Sequence, residues 1–231
     1  MQHTSSPPVA RAVARRGFLV RLSQATAALS ALLVDPGRLD SATAPAPLSG
    51  NADPDAWIAR LKGQQKVMIH AHQYFMTALV DARNMLANAR DMYGVPDGQQ
   101  SIAVITHGPA IQGLFRDDVW QRFALGEFYK VNDPKTSAPA TRNIYLMPQD
   151  GEAPDAAVAD LMKRGVTFVV CNVALLNLSK RLARAGTTPE ALHDELAAGL
   201  VEGAVLVPDV FVAMQRAQKR GVAYIFTDRS R

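Results

Sequence analysis

One cysteine in 231 residues leaves no disulfide possible within the chain, so the fold must rest on its apolar core. Aromatic residues are scarce, at 6%. No basic stripe is interleaved with them, and nucleic-acid binding finds no support. No uncharged apolar run reaches the roughly 18 residues of an ordinary membrane-spanning helix. Neither a Gly-x-Gly-x-x-Gly turn nor a P-loop occurs, so no nucleotide motif points to a cofactor and none is expected. What is present is a globular composition. Hydrophobic residues make up 48% and charged residues 20%, enough for a sizeable core and too apolar for wholesale disorder.

The formal charge of +4 is unevenly spread. Residues 1–52 hold Arg11, Arg15, Arg16, Arg21 and Arg38 against Asp35 and Asp40, and the remainder is nearly balanced. The stretch VARRGFLVRLSQATAALSALLV opens with paired arginines and runs into a modestly apolar segment. Arg15 and Arg16, followed by Gly17, Phe18 and Leu19, resemble a bacterial twin-arginine export signal. The resemblance implies a periplasmic destination and the twin-arginine translocase as a partner. The alternative is an amphipathic surface helix. Residues 35–54 have the Pro, Ala, Ser, Gly and Asp content of a linker. No clear cleavage site stands out, so an uncut leader tethering the protein to a membrane stays open. The expected division is leader and linker at 1–52 and a folded domain at 53–231.

From residue 66 onward two periods alternate. KVMIHAH (66–72), SIAVITHG (101–108), VTFVVC (166–171), GAVLVP (203–208) and VAYIFTD (222–228) are short, nearly continuous apolar runs. Between them lie helical patterns, among them 75–94 with Gly94 as its stop, and 154–165 with acidic start and basic end. A helix is expected to begin near Pro109, and another at Thr188-Pro189-Glu190. Residues 116–150 break the rhythm as an insertion, with a helix ending near Gly126 and a short strand at IYLM. Apolar strands alternating with helices predict an α/β domain. Its form is an open, mostly parallel five-stranded sheet with helices on both faces.

In such a sheet ligands bind beyond the carboxyl ends of the strands. His70, His72, His107 and Cys171 all gather there by topology. His70 and His72, two apart, share a face of the first strand. Each is also explained without function, His70 as a bonded core histidine and His72 as a solvated loop residue. His107 with Gly108 points to binding, because glycine lets backbone approach a ligand and the next helix offers free N–H donors. A metal site from these histidines and Cys171 is chemically conceivable, but no carboxylate spacing accompanies it, and no metal is expected. His193 reads as surface. Cys171 has two readings: an inert buried small hydrophobe, or a nucleophile whose thiolate is favoured by the helix N-terminus that follows. With no second cysteine, sulfur taken up as a persulfide would leave to an external acceptor.

The segments VTFVVCNVALL and GAVLVPDVFVAMQRAQKRGVAYIF resemble the C-terminal half of DsrE/DsrF-like proteins, which include the TusD-type sulfur-relay subunits. IAVITHGPAI resembles that family's second strand and His-Gly turn. The long middle segment is similar instead to a branch carrying twin-arginine signals. The resemblance implies a flavodoxin-like sandwich and a homo- or hetero-oligomer, often a trimer or hexamer, with a homo-oligomer expected here. It also implies a strand-end cysteine, here Cys171, that accepts persulfide sulfur from a donor protein and passes it to an acceptor. Asn172 is read as a helix cap or as an anion-orienting group. The loop with Lys135, Thr136, Arg142 and Asn143 is read as a lid bringing positive charge to a sulfur oxyanion, or as a solvated loop or oligomer contact. The expectation is an exported sulfur carrier, sulfurtransferase-like if active. The alternative is a non-catalytic oligomeric binding module in which Cys171 is packing.

Overall fold

A computed structural model describes residues 53–96, 98–147, 155–184 and 186–227. The expected export signal with Arg15 and Arg16, and the linker after it, lie outside the described residues.

Five strands form one sheet: β1 (Gln65–Ala71), β2 (Gln100–Thr106), β3 (Thr167–Cys171), β4 (Val205–Val207) and β5 (Ala223–Phe226). Their order is β4-β3-β2-β1-β5, and every pairing is parallel. The α/β expectation holds, and the sheet is parallel throughout. β2 and β3 run as unbroken apolar stretches because both of their faces are covered. Thr106 ties two strands together, its hydroxyl donating to the Val169 carbonyl at 3.0 Å.

Among the described residues seven α-helices accompany the strands: α1 (Phe75–Tyr93), α2 (Asp117–Arg122), α3 (Leu125–Tyr129), α4 (Val158–Lys163), α5 (Asn172–Leu182), α6 (Pro189–Ala198) and α7 (Val210–Gln218). Phe75, Ala78, Leu79, Ala82, Leu86 and Ala89 of α1 form one buried apolar stripe at helical spacing, with Thr77 and Val80 also buried in its first turns. Gly94 ends it in the left-handed region, and the Val95 N–H donates to the Ala89 carbonyl at 2.9 Å. Thr188 caps α6 and Asp209 caps α7, each through its side-chain oxygen. The connections from β1 to β4 step in one direction and the connection from β4 to β5 returns. Right-handed crossovers therefore put α7 on the face opposite α1. Among the described residues no helix is long and apolar enough to cross a membrane.

The insertion differs in detail from its sequence pattern. Instead of one helix ending near Gly126 there are two short ones, broken where Ala124 enters the left-handed region. IYLM forms turns, with Ile144 and Tyr145 buried. Asn143 pins the segment: its side-chain amide donates to the Gly113 and Phe115 carbonyls at 3.0 and 2.6 Å and its Oδ1 accepts from the Tyr145 N–H. The helix expected near Pro109 is a 3-10 helix, Gly108–Leu114.

The first described segment is clamped to α7. Asp55 is buried and accepts hydrogen bonds from Arg216 and Arg220, while Trp57 and Leu61 enter the core beside it. Hydrogen bonding from Arg216 first, then the charges of Arg216 and Arg220, hold the Asp55 carboxyl below its usual range against the opposing effect of burial. A depressed folded pKa contributes stability above the unfolded value, and that contribution disappears as pH falls through the folded one. Asp55→Asn is expected to cost about 2 kcal/mol at neutral pH, the scale of charge-assisted hydrogen bonds. The gap from wild type should narrow below about pH 4, as measured by urea unfolding across pH.

Candidate functional site

The sheet register assembles the site. Ala71 pairs with Thr106, Thr106 with Val170, and Cys171 with Val207. One step past the β1 and β2 termini, His72, His107 and Cys171 therefore fall in one row across the carboxyl edge. The His107 N–H continues the ladder by donating to the Ala71 carbonyl. Gly108 turns the chain away with φ +58°, and the His72 ring occupies the place a Cβ would take.

Three imidazoles meet there. The His72 and His107 rings stack with centroids 4.4 Å apart. His70 Nε2 lies 3.1 Å from His107 Nδ1, and His70 Nδ1 lies 3.0 Å from the Tyr224 hydroxyl of β5. Phe211, in the first turn of α7, sets its ring edgewise against both His70 and His107. A neutral imidazole donates through one nitrogen and accepts through the other. The chain Tyr224–His70–His107 therefore has a direction, and that direction fixes which nitrogen of His107 carries its proton. Partial desolvation raises the Tyr224 phenol's pKa above its ordinary value. Among the described residues no three His, Cys, Asp or Glu side chains are grouped to hold a metal ion.

Beside the histidines a cavity of about 210 Å³ opens at the sheet edge. His107, Gly108 and Pro109 line it from the β2 end, Cys171 from β3, and Asp209 and Phe211 from the start of α7. Val173, Ala174, Asn177, Leu178 and Arg181 of α5 form another wall, and Tyr129 closes the side toward α3. Cys171 is 2% exposed, so its thiol is part of the floor and not of the outer surface. It occupies the N-cap position of α5 without a capping side-chain bond of its own. Burial pushes the Tyr129 phenol up to about 12, with the Arg181 charge pulling the other way.

His107, Gly108 and Cys171 are thus brought together as the sequence suggested. Asn172 is not: it is the first residue of α5, makes no cap, and turns its Oδ1 to His193 Nε2 of α6 at 2.6 Å. It joins two helices instead of orienting an anion, and His193 is correspondingly half-buried. Lys135 is exposed on the insertion, Arg142 pairs with Asp133 at 3.1 Å, and neither lines the cavity. The cation that does is Arg181, whose guanidinium lies 4.6 Å from the Phe128 ring centroid. Arg181 was findable: on a helix starting after Cys171, positions 174, 177 and 181 share a face at spacings of three and four.

No family model matches the chain, and no curated protein matches it. A solved protein of unknown function from Methanobacterium thermoautotrophicum is similar at 17% identity, covering 71% of this chain and 99% of that one, with a TM-score of 0.40.

Two measurements follow from this geometry. In the native protein iodoacetamide is expected to alkylate Cys171, more slowly than in the urea-unfolded chain, and mass spectrometry resolves the rates; a native thiol that never reacts would close the floor to ligands. Gly108→Ala is expected to cost about 1–2 kcal/mol from left-handed strain alone. It should also move His72 off His107, because the new Cβ would lie 2.5 Å from the His72 ring, a change that histidine ring-proton NMR resolves.

Proposed function

We propose that the protein is an exported DsrE-like sulfur carrier that binds sulfane sulfur as a persulfide on Cys171, working in the periplasm after twin-arginine export. The observation that carries this reading is the place of the lone thiol: it forms the floor of a cavity at the carboxyl edge of the sheet. The first-turn amides of α5 lie next to it, and helix N-termini favour negative charge on sulfur. His107 stands in the same wall.

The step balances without an oxidant. The Cys171 sulfur attacks the terminal sulfur of a donor persulfide, a new S–S bond forms, the donor's S–S bond breaks, and the donor departs as a thiol carrying the proton. Return of the sulfur to an acceptor thiol is the same exchange in reverse. With no second cysteine in the chain, the persulfide persists until that acceptor arrives.

A second reading rests on the 2% exposure of Cys171 and on the surface beside it. Phe211, Val212, Tyr224 and Phe226 are exposed, and β5 presents an open edge. In this reading the protein is a binding module, oligomeric through that surface, and Cys171 packs the core. A homo-oligomer, a trimer or hexamer in the resemblance, belongs to both readings.

Incubation of the full chain with thiosulfate or an inorganic polysulfide is expected to add about 32 Da, one sulfur atom, at Cys171. Cys171→Ala should take up none, as read by intact-mass spectrometry. An unmodified wild-type mass under both of these donors and under a small organic persulfide sinks the carrier and leaves the binding module.

A further inference from the structure

A second cavity, of about 480 Å³, lies against the first. The two share Pro109, Tyr129 and Arg181 as a common wall. The second is built from the start of α1, the 3-10 helix after β2, and the insertion. Two almost fully buried polar residues, Thr77 and Gln112, are in its lining. Gln112 is 4% exposed, and among the described residues its enclosed side-chain Oε1 has no hydrogen-bond partner. The anchoring contact of this turn, the Trp120 indole N–H at 3.0 Å, goes to the Gln112 backbone carbonyl instead. An enclosed acceptor left unpaired costs stability, and a bound N–H or O–H donor would recover it.

The rest of the lining specifies the ligand further. Tyr74, Phe128 and Tyr145 give an aromatic wall, and Lys130 and Arg181 supply positive charge. Among the described residues no carboxylate pairs with Arg181, and its stacking on Phe128 holds the guanidinium over the boundary between the two cavities. A ligand spanning both would meet an acceptor at Gln112, the Arg181 cation at the shared wall, and a thiol at Cys171. The volumes suit a molecule larger than an inorganic sulfur anion.

We infer that the second cavity is the subsite for the organic part of the sulfur donor, and that the donor is a small persulfide bearing an amide and a carboxylate. The identification of the ligand as a sulfur donor rests on the carrier reading of Cys171. Gln112 accepts from the donor's N–H, Arg181 holds its carboxylate, and the terminal sulfur is delivered over the shared wall to Cys171. The donor leaves as the corresponding thiol, so the exchange is the balanced one given above. Gln112 and Arg181 act as binding residues and take no part in the sulfur exchange.

Glutathione, which carries the amide and the carboxylate with a thiol in place of the persulfide, serves as the probe in titration calorimetry of the full chain. Wild type and Cys171→Ala are expected to bind it alike. Arg181→Gln and Gln112→Met should each weaken binding about tenfold, the scale of one charge-assisted or buried hydrogen bond. Gln112→Met should also leave the thermal midpoint unchanged or raised, which a glutamine needed only for folding would not do. No binding at millimolar glutathione, or unchanged affinity in Gln112→Met, overturns the subsite. The two readings fail separately. Loading of Cys171 by inorganic donors without glutathione binding sinks the subsite and keeps the carrier. Glutathione binding without loading of Cys171 by any donor, glutathione persulfide included, keeps the pocket and sinks the carrier.

Discussion

The parallel register of β1, β2 and β3 is the constraint on which the site depends. Because Ala71, Thr106 and Val170 lie side by side, the residues that leave the sheet next to them emerge in a row. A shift of one residue in either pairing would turn the alternating side chains over. His107 would then face away from Phe211, and Cys171 would leave the cavity floor. The register is itself set by burial. β2 and the end of β1 are packed on both faces, and no other alignment hides the same apolar atoms.

The strands were legible because their apolar runs are short, continuous and bounded. Each of the five lies within two residues of its expected limits, and their parallel arrangement follows from the helices between them. The insertion was less legible, for a physical reason. Its course is set by Asn143, whose bonds reach back to Gly113 and Phe115, and no local periodicity announces a contact across thirty residues. The break at Ala124, a non-glycine residue with φ +46°, likewise leaves no mark in the sequence.

The site shows the same division. Residues attached directly to strand ends, His107, Gly108 and Cys171, were placed by topology alone. Asn172 lies outside the cavity lining, and its side chain meets His193 on another helix, a contact that local sequence does not announce. Lys135 and Arg142 were chosen for charge within a polar loop, but Arg142 is satisfied by Asp133. Arg181 lay within reach of helical spacing from Cys171. Tyr224 did not, since its bond to His70 depends on β5 lying beside β1.

That last neighbourhood bears on how the molecule is made. β1 and β5 stand at opposite ends of the folded chain and pair directly, so loop closure between them spans nearly the whole domain. Tyr224 cannot meet His70 until the final strand has docked. A nascent or C-terminally truncated chain can possess the cysteine, the glycine turn and all three imidazoles and still lack the phenol at the end of their proton chain. Of the five strands, it is the one synthesised last that completes the histidine array.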